Sequence, residues 1–499
     1  MLRNINHLQG VKNGEEILYD TPFGYIFEYL CNNPLCRLPA SCEVIDNLIE
    51  LGSFMSDPAN PLDEELDSNV PAVFTYLGQF IDHDVTARTD REERFKIADP
   101  SGDRRYFSPI DPDVVVSKLR NGRRPNLDLD AVFGDGPALF PGYKTQADDL
   151  YDPETLRMHL NHNKNTRYID LPRNHETGQA IIADGRNDEN IMISQIHAAF
   201  IAFYNRIHDR LPSGSPQECY SRARQLTTWA YQYIVLNDYL PSVCNEDVVA
   251  ETLKNGPYYY GQFSLPFMPL EFSVAGFRFG HSMIRPSYTI NGTLRNIKEV
   301  LGVSNPNNDF LDPARNFQLK PEHVIRWSEF NADNPARIID SKIAKGLFEL
   351  NNVSPSIPMG KILARLTQRN LLRGHLLSLP TGQSVAKAMR IFPLSEEQLQ
   401  IGNSKEENQF LQGSGFLKTT PLWYYILKES EVQQKGLRLG VVGSKIVAET
   451  LIGLVKSDPN SYLNSNDAAI KKDGIDLPGI GKGAEIKNTE RFLNYAQVS

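Results

Sequence analysis

Polar side chains that interrupt apolar helical segments constrain this chain more than any other feature of its sequence. His83 lies in the run Gly-Gln-Phe-Ile-Asp-His-Asp at positions 78–84, inside the apolar stretch 71–90. His281 lies in Gly-Phe-Arg-Phe-Gly-His-Ser-Met-Ile-Arg at positions 276–285, where a histidine and an arginine break an aromatic, apolar segment. Burying such groups is costly unless each has a partner or a task. Each histidine, taken alone, is most simply a hydrogen-bonded core residue.

A third polar cluster begins a long helix that the periodicity predicts over residues 188–211. Apolar side chains recur there at intervals of three or four residues, and the run Arg-Asn-Asp-Glu at 186–189 places negative charge near the favourable amino-terminal end. His197 and Asn205 lie further along the same helix. Polar clusters on separate apolar helices indicate one shared internal site.

The rest of the chain predicts a mainly α-helical fold, one large domain with long irregular connections. Residues 91–185 are polar and rich in Pro, Gly and Asp, which is typical of loops that a site or a partner organises. Strand signals are few. An irregular amino-terminal arm is predicted over 1–70, the main domain over 71–460 and a surface tail over 461–499. Further helices are predicted over residues 216–240, 271–285, 356–373, 383–391, 420–428 and 439–456.

Composition excludes several classes of function. The chain has 499 residues and a net charge of −9 with no basic run, which argues against nucleic acid as a partner. Its five cysteines form no C-x-x-C pair, and free thiols are favoured over a disulfide between Cys31 and Cys36 or Cys42. No signal-peptide pattern and no transmembrane stretch of about 18 apolar residues is found. A cytoplasmic location is therefore expected, with export by another route left open.

Four segments resemble the signatures of the animal haem peroxidases, the group that includes myeloperoxidase, lactoperoxidase and the cyclooxygenases. LGQFIDHD is similar to the distal signature and FRFGHSMI to the proximal one. GRNDEN followed by QIHAAFIAFYNRIHD resembles the catalytic-arginine segment, and LTQRNLLRGHLLSLPTG resembles the segment of the proximal asparagine. They follow the order of the family between about residues 70 and 395, and the segments DLPRN and TPLWYYIL resemble bacterial members.

This resemblance implies the family's fold, a haem b cofactor and a role for each matched residue. His83 matches the distal histidine, which moves a proton between the two peroxide oxygens. Arg186 matches the distal arginine, which stabilises charge on the departing oxygen. Gln79 matches the distal glutamine, which contacts water or halide. His281 matches the proximal iron ligand, and Asn370 matches the asparagine that accepts its other ring N–H.

Three further positions are expected to contact the haem. Asp82 and Glu189 match the carboxylates that form ester bonds to the haem in the mammalian enzymes, and hydrogen bonding near the haem edge is an equal alternative for both. Asn190 stands where myeloperoxidase has the methionine of its sulfonium link, so that third bond is not expected. Arg278 lies three residues before the proximal histidine.

A calcium site is also implied by the resemblance. The family uses the aspartate after the distal histidine, matched by Asp84, together with a loop of pattern Thr-x-aromatic-x-Asp-x-Ser. Thr166, Tyr168 and Asp170 match that loop, and Pro172 replaces its final serine and removes one oxygen ligand. An ordinary Asp-Leu-Pro turn is the alternative.

The resemblance favours a peroxidase that reduces hydrogen peroxide and oxidises a small reductant such as a phenol or a halide, with a role in the response to oxidative stress. A fatty-acid dioxygenase of the cyclooxygenase kind, with a lipid as reductant, is the alternative. Such relatives carry a radical-forming tyrosine where this chain has Arg278, which argues against it. A haem-binding protein without activity is the third hypothesis, and the filled positions 83, 186 and 281 disfavour it.

Overall fold

The computed structural model of the chain is built mainly from α-helices, as predicted, with short strands between them. It describes residues 11–13, 16–56, 66–87, 103–139, 142–163, 168–212, 214–262, 266–303, 309–348, 364–481 and 483–498. The helices of seven residues or more in these ranges are α1 (Cys42–Phe54), α2 (Val73–Val85), α3 (Pro112–Lys118), α4 (Ile191–Arg210), α5 (Pro216–Ile234), α6 (Glu246–Asn255), α7 (Leu366–Leu376), α8 (Gly382–Ala388), α9 (Lys405–Ser414), α10 (Leu422–Gln434), α11 (Val441–Ser457) and α12 (Thr489–Ala496).

The strands are two to five residues long and form small, separate sheets, so helices carry the core. Most pair as antiparallel hairpins, and β3 pairs with both β5 and β8 in a three-stranded sheet. The strands are β1 (Val11–Asn13), β2 (Glu16–Leu18), β3 (Thr21–Gly24), β4 (Asp67–Pro71), β5 (Arg120–Asn121), β6 (Asn161–Asn163), β7 (Tyr168–Asp170), β8 (Met268–Pro269), β9 (Ser287–Ile290), β10 (Thr293–Asn296), β11 (Leu311–Asp312), β12 (Gln318–Leu319), β13 (Pro335–Arg337), β14 (Ile470–Lys471) and β15 (Gly474–Ile475).

Helix α4 lies at the centre of the helical core and contacts α2, α5 and α12. Its start is fixed by Asn190, whose side chain accepts a hydrogen bond from the backbone N–H of Ile193 at 2.9 Å. Phe80 of α2 stacks on Phe200 of α4 with ring centroids 4.6 Å apart. This packing sets the position of α2, and therefore of His83, relative to the beginning of α4.

The segment predicted as a helix over 271–285 departs from α-helical geometry. A π-helical turn, Glu271–Ala275, is followed by a 3-10 turn, Gly276–His281. The close approach of α11 accompanies this change, since a Cβ at Gly276 would lie 2.6 Å from Cγ2 of Ile446. A regular helix over the whole segment is therefore a wrong prediction, because local packing changes its winding.

Two other predicted helices differ at their ends. The helix predicted over 216–240 continues beyond Ile234 as a π-helical turn, Val235–Tyr239. The helix predicted over 356–373 is described from Leu366 onward, and its earlier part lies outside the described residues.

Both terminal segments contribute more to the core than the sequence predicts. Helix α1 lies inside the predicted irregular arm and packs on α7, where a Cβ at Gly52 would lie 2.6 Å from Cγ of Gln368. In the predicted surface tail, Phe492 of α12 lies 4.5 Å from Phe200 and 4.8 Å from Phe203, ring centroid to ring centroid. The division of the chain at residues 70 and 460 stays a prediction.

No helix among the described residues combines the length and the apolar composition needed to cross a bilayer.

Candidate active site

His83 is held on α2 by one hydrogen bond and is buried, with 5% of its surface exposed. Its Nδ1 lies 2.8 Å from Oδ1 of Asn187, which can only accept, so Nδ1 carries the proton and Nε2 is left as the acceptor. Nε2 lies 3.7 Å from Oε1 of Glu189. Burial, with a further contribution from Arg186, lowers the pKa of His83 to about 3. The imidazole is therefore neutral near pH 7 and can accept a proton.

Asn187 orients this imidazole through a second contact, which the sequence did not predict. Its Nδ2 lies 2.9 Å from Nδ1 of His197, a fully buried residue of α4. Burial lowers the pKa of His197 to about 3, so its Nδ1 is available as an acceptor. The Asn187 amide is thereby fixed with its oxygen toward His83. The run Arg-Asn-Asp-Glu drew attention to this turn, but only the tertiary contact identifies the asparagine.

Arg186 belongs to a buried network of charges beside His83. Its Nε and Nη2 donate to Asp184, and Nη2 also donates to the backbone oxygens of His83 at 3.0 Å and Thr86 at 2.6 Å. Arg123 pairs with the same carboxylate at 2.5 Å. Burial alone would raise the pKa of Asp184, but the two arginines hold it well below its usual range. Asp184 therefore stays ionised and fixes the position of Arg186.

Gln79 and Glu189 lie together next to the imidazole. Nε2 of Gln79 donates a hydrogen bond to Glu189, and its Oε1 accepts one from Nδ2 of Asn190 at 3.0 Å. Burial raises the pKa of Glu189 to about 7, against the opposing charge of Arg186. Gln79, the predicted distal glutamine, is therefore bonded to the Glu189 carboxylate next to His83.

Asp82 lies next to His83 along α2 and is held locally. Its Oδ1 accepts a hydrogen bond from Oγ1 of Thr86 at 3.1 Å. Burial raises the pKa of this carboxyl, while Arg186 and Arg278 oppose the shift. The charge of Asp82 therefore interacts with Arg186, from the turn before α4, and with Arg278, from the segment that carries His281.

The second histidine, His281, ends the 3-10 turn and lies beside Asn370 of α7. Nδ2 of Asn370 is 3.1 Å from Nδ1 of His281, and Oδ1 of Asn370 accepts a hydrogen bond from Nη1 of Arg278 at 2.6 Å. The pairing of His281 with Asn370 was predicted; in this structure Arg278 donates to the amide oxygen, and acceptance of the His281 ring N–H by Asn370 stays a prediction. Burial, then Arg278 and Arg369, lower the pKa of His281 to about 3, so the ring is neutral.

A cavity of about 990 Å³, counting the open space at its mouth, separates the two segments. We call Asp82, Thr86 and Arg186 its distal wall, and Arg278 with Arg369, Asn370 and Arg373 of α7 its proximal wall. A Cβ at Gly280 would meet no atom within 4 Å, so there is open space beside His281. The cavity is bordered by four arginines: Arg186, Arg278, Arg369 and Arg373.

These residues fit a haem. The neutral imidazole of His281 can offer a lone pair to a metal once the Asn370 amide accepts from its Nδ1, and an amide can turn over at little cost in shape. Oγ of Ser273, which lines the cavity, is buried and has no hydrogen-bond partner in the part of the chain that the structure describes. The bordering arginines suit the carboxylates that such a macrocycle carries, because guanidinium groups bind carboxylates in a bidentate manner.

Two of the predicted calcium ligands, Asp84 and Asp170, have different charged neighbours. Asp84 lies in a cluster with Asp128 and Asp130, in which one carboxylate oxygen of each residue lies within 4.8 Å of the others. Asp170 instead binds Arg173 through both oxygens, at 3.0 and 3.1 Å, and Tyr168 donates to the backbone oxygen of Leu319. Asp170 is therefore engaged by an arginine, and a calcium site that joins Tyr168 and Asp170 to Asp84 stays a prediction.

Thr166 lies outside the described residues. The sequence analysis missed Asp128 and Asp130, which stand in the run Leu-Asp-Leu-Asp-Ala at 127–131 and could have been found by their spacing. Burial and the neighbouring carboxylates raise the pKa of Asp84, and burial raises that of Asp130 to about 7. Three carboxylates held this close are the oxygen ligands that a hard cation prefers.

Comparison with known proteins places these residues in a family. The family model for the animal haem peroxidase matches residues 55–355, which include both predicted histidines. The chain belongs to the animal haem peroxidase family. Haem is the cofactor that this family implies, and the resemblance noted in the sequence is confirmed.

Two relatives match this chain over part of their own length. Mouse thyroid peroxidase is 24% identical over 182 residues, which cover 33% of this chain and 20% of that protein. A peroxidase-like protein of Margaritifera margaritifera is 23% identical over 359 residues, which cover 61% of this chain and 44% of that protein. The chain thus spans between a fifth and about half of the length of these relatives.

Solved structures share the fold. Peroxidase A from Dictyostelium discoideum has a TM-score of 0.59 and 16% identity, covering 92% of this chain and 91% of that one. The fatty acid alpha-dioxygenase of Oryza sativa has a TM-score of 0.58 and 13% identity, covering 98% of this chain and 80% of that one. At this identity the similarity shows the fold alone.

Proposed function

We propose that this chain is a haem peroxidase that reduces hydrogen peroxide and oxidises a small reductant. The observation that carries the proposal is the state of His83: a neutral imidazole whose Nδ1–H is held by Asn187 and whose Nε2 is free to accept a proton. A general base of this kind must be unprotonated at the working pH. Arg186, beside it, supplies the fixed positive charge that a departing oxygen needs.

His281 would hold the haem iron, and the arginines bordering the cavity would bind its carboxylates. When bound, the haem supplies the metal at which peroxide is reduced. Nε2 of His83 would accept the proton from the peroxide oxygen nearest the metal and return it to the leaving oxygen. Asn370 would hold Nδ1 of His281 once its amide presents the oxygen. Both possibilities for Asp82 and Glu189, ester bonding to the haem and hydrogen bonding, stay predictions.

Calcium binding is proposed at Asp84, Asp128 and Asp130. Burial and, after it, the neighbouring carboxylates raise the pKa of Asp84, and Arg123 and Arg124 offset only part of the negative charge of Asp128 and Asp130. The site lies directly after His83 along α2, so a bound cation would stabilise the distal wall.

Uptake of haem and reaction with peroxide test the main proposal. We expect the purified chain to bind haem in a one-to-one titration and the ferric absorption spectrum to change transiently when peroxide is added. His281→Ala should lose the metal bond and most of the bound haem. A variant at 281 that keeps an unchanged ferric Soret band would contradict the assignment.

The fatty-acid dioxygenase is distinguished by oxygen consumption. A dioxygenase should consume oxygen with a fatty acid and need no added reductant. We expect no such consumption, because Arg278 occupies the position of the oxygenase tyrosine.

A further inference from the structure

The carbonyl groups that end α2 are bonded by side chains from a distant part of the chain. The last four carbonyls of an α-helix have no partner within the helix. In α2, the carbonyl oxygen of His83 accepts from Nε of Arg123 at 3.3 Å and from Nη2 of Arg186 at 3.0 Å. That of Val85 accepts from Nδ2 of Asn121 at 2.7 Å. Asn121 and Arg123 therefore hold the end of the helix that carries the distal histidine.

Arg123 also binds the carboxylate that holds Arg186. Its Nη2 lies 2.5 Å from Oδ2 of Asp184, and Arg186 bonds the same carboxylate through Nε and Nη2. On its other side, Nε of Arg123 lies 3.8 Å from Oδ1 of Asp130. The side chains of Arg123, Asp130 and Asp184 are all 0% exposed, so water screens these interactions little. One buried guanidinium thus contacts the backbone of His83 and the ion-pair partner of Arg186.

The neighbouring Arg124 has a different set of contacts. Its Nε lies 3.3 Å from Oδ2 of Asp128 and 3.9 Å from Oδ2 of Asp130, and 24% of its side chain is exposed. In the ranges that the structure describes, no bond joins Arg124 to Asp184 or to the end of α2. Arg124 therefore neutralises the carboxylate cluster, whereas Arg123 also reaches the distal site.

We propose that Arg123 is a positioning residue of the distal site. Through the carboxylate of Asp184 it fixes the guanidinium of Arg186, and through the carbonyl oxygen in α2 it fixes the backbone of His83. A guanidinium suits this role because its planar fork directs several donors along fixed directions. The inference rests on the proposed peroxidase function and adds to the same site a residue from the loop-rich region 91–185.

The vibrational spectrum of bound carbon monoxide tests the position of Arg186 without turnover. In the reduced, haem-loaded protein, a positive charge beside the bound molecule lowers its C–O stretching frequency, and this effect weakens with distance. Arg123→Met keeps a long side chain and removes the bonds to Asp184 and α2. We expect it to raise the C–O frequency, as Arg186→Met should, and to leave haem uptake in place. Arg124→Met is the matched control, since it removes the same charge one position later and should leave the frequency unchanged.

A double-mutant cycle separates positioning from a general effect on stability. In the wild-type background, Arg123→Met should slow the reaction with peroxide on the order of 10–100-fold. In the Arg186→Met background the same substitution should cost no more than about threefold, because residues that act through one another give non-additive losses. A merely structural role would give equal losses in both backgrounds. If Arg123→Met does not fold, Arg123→Lys replaces it throughout, because lysine keeps the charge and loses the fork.

The outcomes separate the two proposals. An unchanged C–O frequency in the residue-123 variant, or equal rate losses in the two backgrounds, overturns this inference while the peroxidase function stands. Bound haem that does not react with peroxide overturns the proposed function, and the C–O frequency then still decides whether Arg123 fixes Arg186. A chain that takes up no haem overturns both.

Discussion

Arg186 and Asp184 form a two-point ion pair, with Nε 3.0 Å from Oδ1 and Nη2 2.7 Å from Oδ2. Asp184 is fully buried, so this pair is little screened by water. The same Nη2 also donates to the backbone oxygen of His83, in α2, and to that of Thr86, the residue after α2. Arg186, which lines the cavity, is therefore positioned by Nε and Nη2.

Arg186→Lys is expected to slow the reaction with peroxide while haem uptake is retained. A lysine keeps the charge but cannot make the two parallel bonds to Asp184, so its ammonium group is less well placed. Loss of one donor to a developing charge typically costs on the order of 10²–10³-fold in rate. Stopped-flow absorbance after mixing with peroxide measures this rate. A rate within about twofold of the wild type would exclude Arg186 from this step.

Asn187 is expected to set the pH dependence of the same reaction. Asn187→Asp keeps an acceptor for Nδ1 of His83 but adds a negative charge, which should raise the pKa of His83 from about 3. Because the base must be neutral, acidification should slow the reaction of Asn187→Asp at a higher pH than it slows the reaction of the wild type. Rates measured from pH 8 to pH 4 in both proteins check this shift.

His83→Ala should show the largest loss of rate in that series of variants. Removing the base itself should slow the reaction on the order of 10²–10⁴-fold and leave haem in place. Asn187→Ala should lie between, roughly tenfold to a hundredfold slower, as is typical when a supporting hydrogen bond is lost. Asn174→Ala, in an exposed turn, is the control. Asn187 variants with a wild-type pH profile would refute its role in orienting His83.

The sequence predicted the residues that matched motifs and missed those defined only by tertiary contacts. His83, Arg186 and His281 stand in short strings that resemble family signatures. Asn187 becomes recognisable as the partner of His83 only when the turn before α4 is placed against α2. Arg123 pairs with Asp184 from 61 residues away in sequence, a distance over which no periodic pattern carries information.

The local change from α-helical to π-helical and 3-10 geometry could not be predicted from the sequence either. The residues around His281 have helix-compatible apolar spacing, but the approach of α11 at Gly276 accompanies a π turn and a 3-10 turn. Helix α12 was missed because its eight residues follow a glycine- and lysine-rich stretch that is typical of a surface tail. Its contact with Phe200 depends on the packing of α4, not on its own composition.

Calcium is expected to raise the thermal stability of the chain through Asp84, Asp128 and Asp130. A cation that binds only the native state at a hundred times its Kd adds about 2.7 kcal/mol to the free energy of unfolding. Chelation with EDTA should lower Tm, and added calcium should restore it. Asp128→Asn should remove this response, whereas Asp333→Asn, on an exposed turn, should keep it. A Tm that does not respond to calcium in the wild type would contradict the site.

His375 of α7 is expected to destabilise the chain in acid. Its Nε2 is buried and finds no hydrogen-bond partner among the described residues, and burial, with a contribution from Arg37, lowers the pKa of His375 to about 4. Since the unfolded value is about 6.5, the unfolded state binds a proton between pH 6.5 and 4 that the native state does not. Stability contributed by the neutral ring is therefore complete above pH 6.5 and is lost as the pH falls toward 4. Between pH 8 and pH 5 the loss amounts to about 2 kcal/mol.

His375→Gln removes this titration and keeps a neutral polar side chain of similar length. The difference in unfolding free energy between the variant and the wild type should shift by about 2 kcal/mol in favour of the variant from pH 8 to pH 5. Urea denaturation at the two pH values measures it. His175→Gln, at an exposed position, is the control. An equal response of the two variants would mean that His375 is protonated in the native protein, and that the buried Nε2 has found an acceptor.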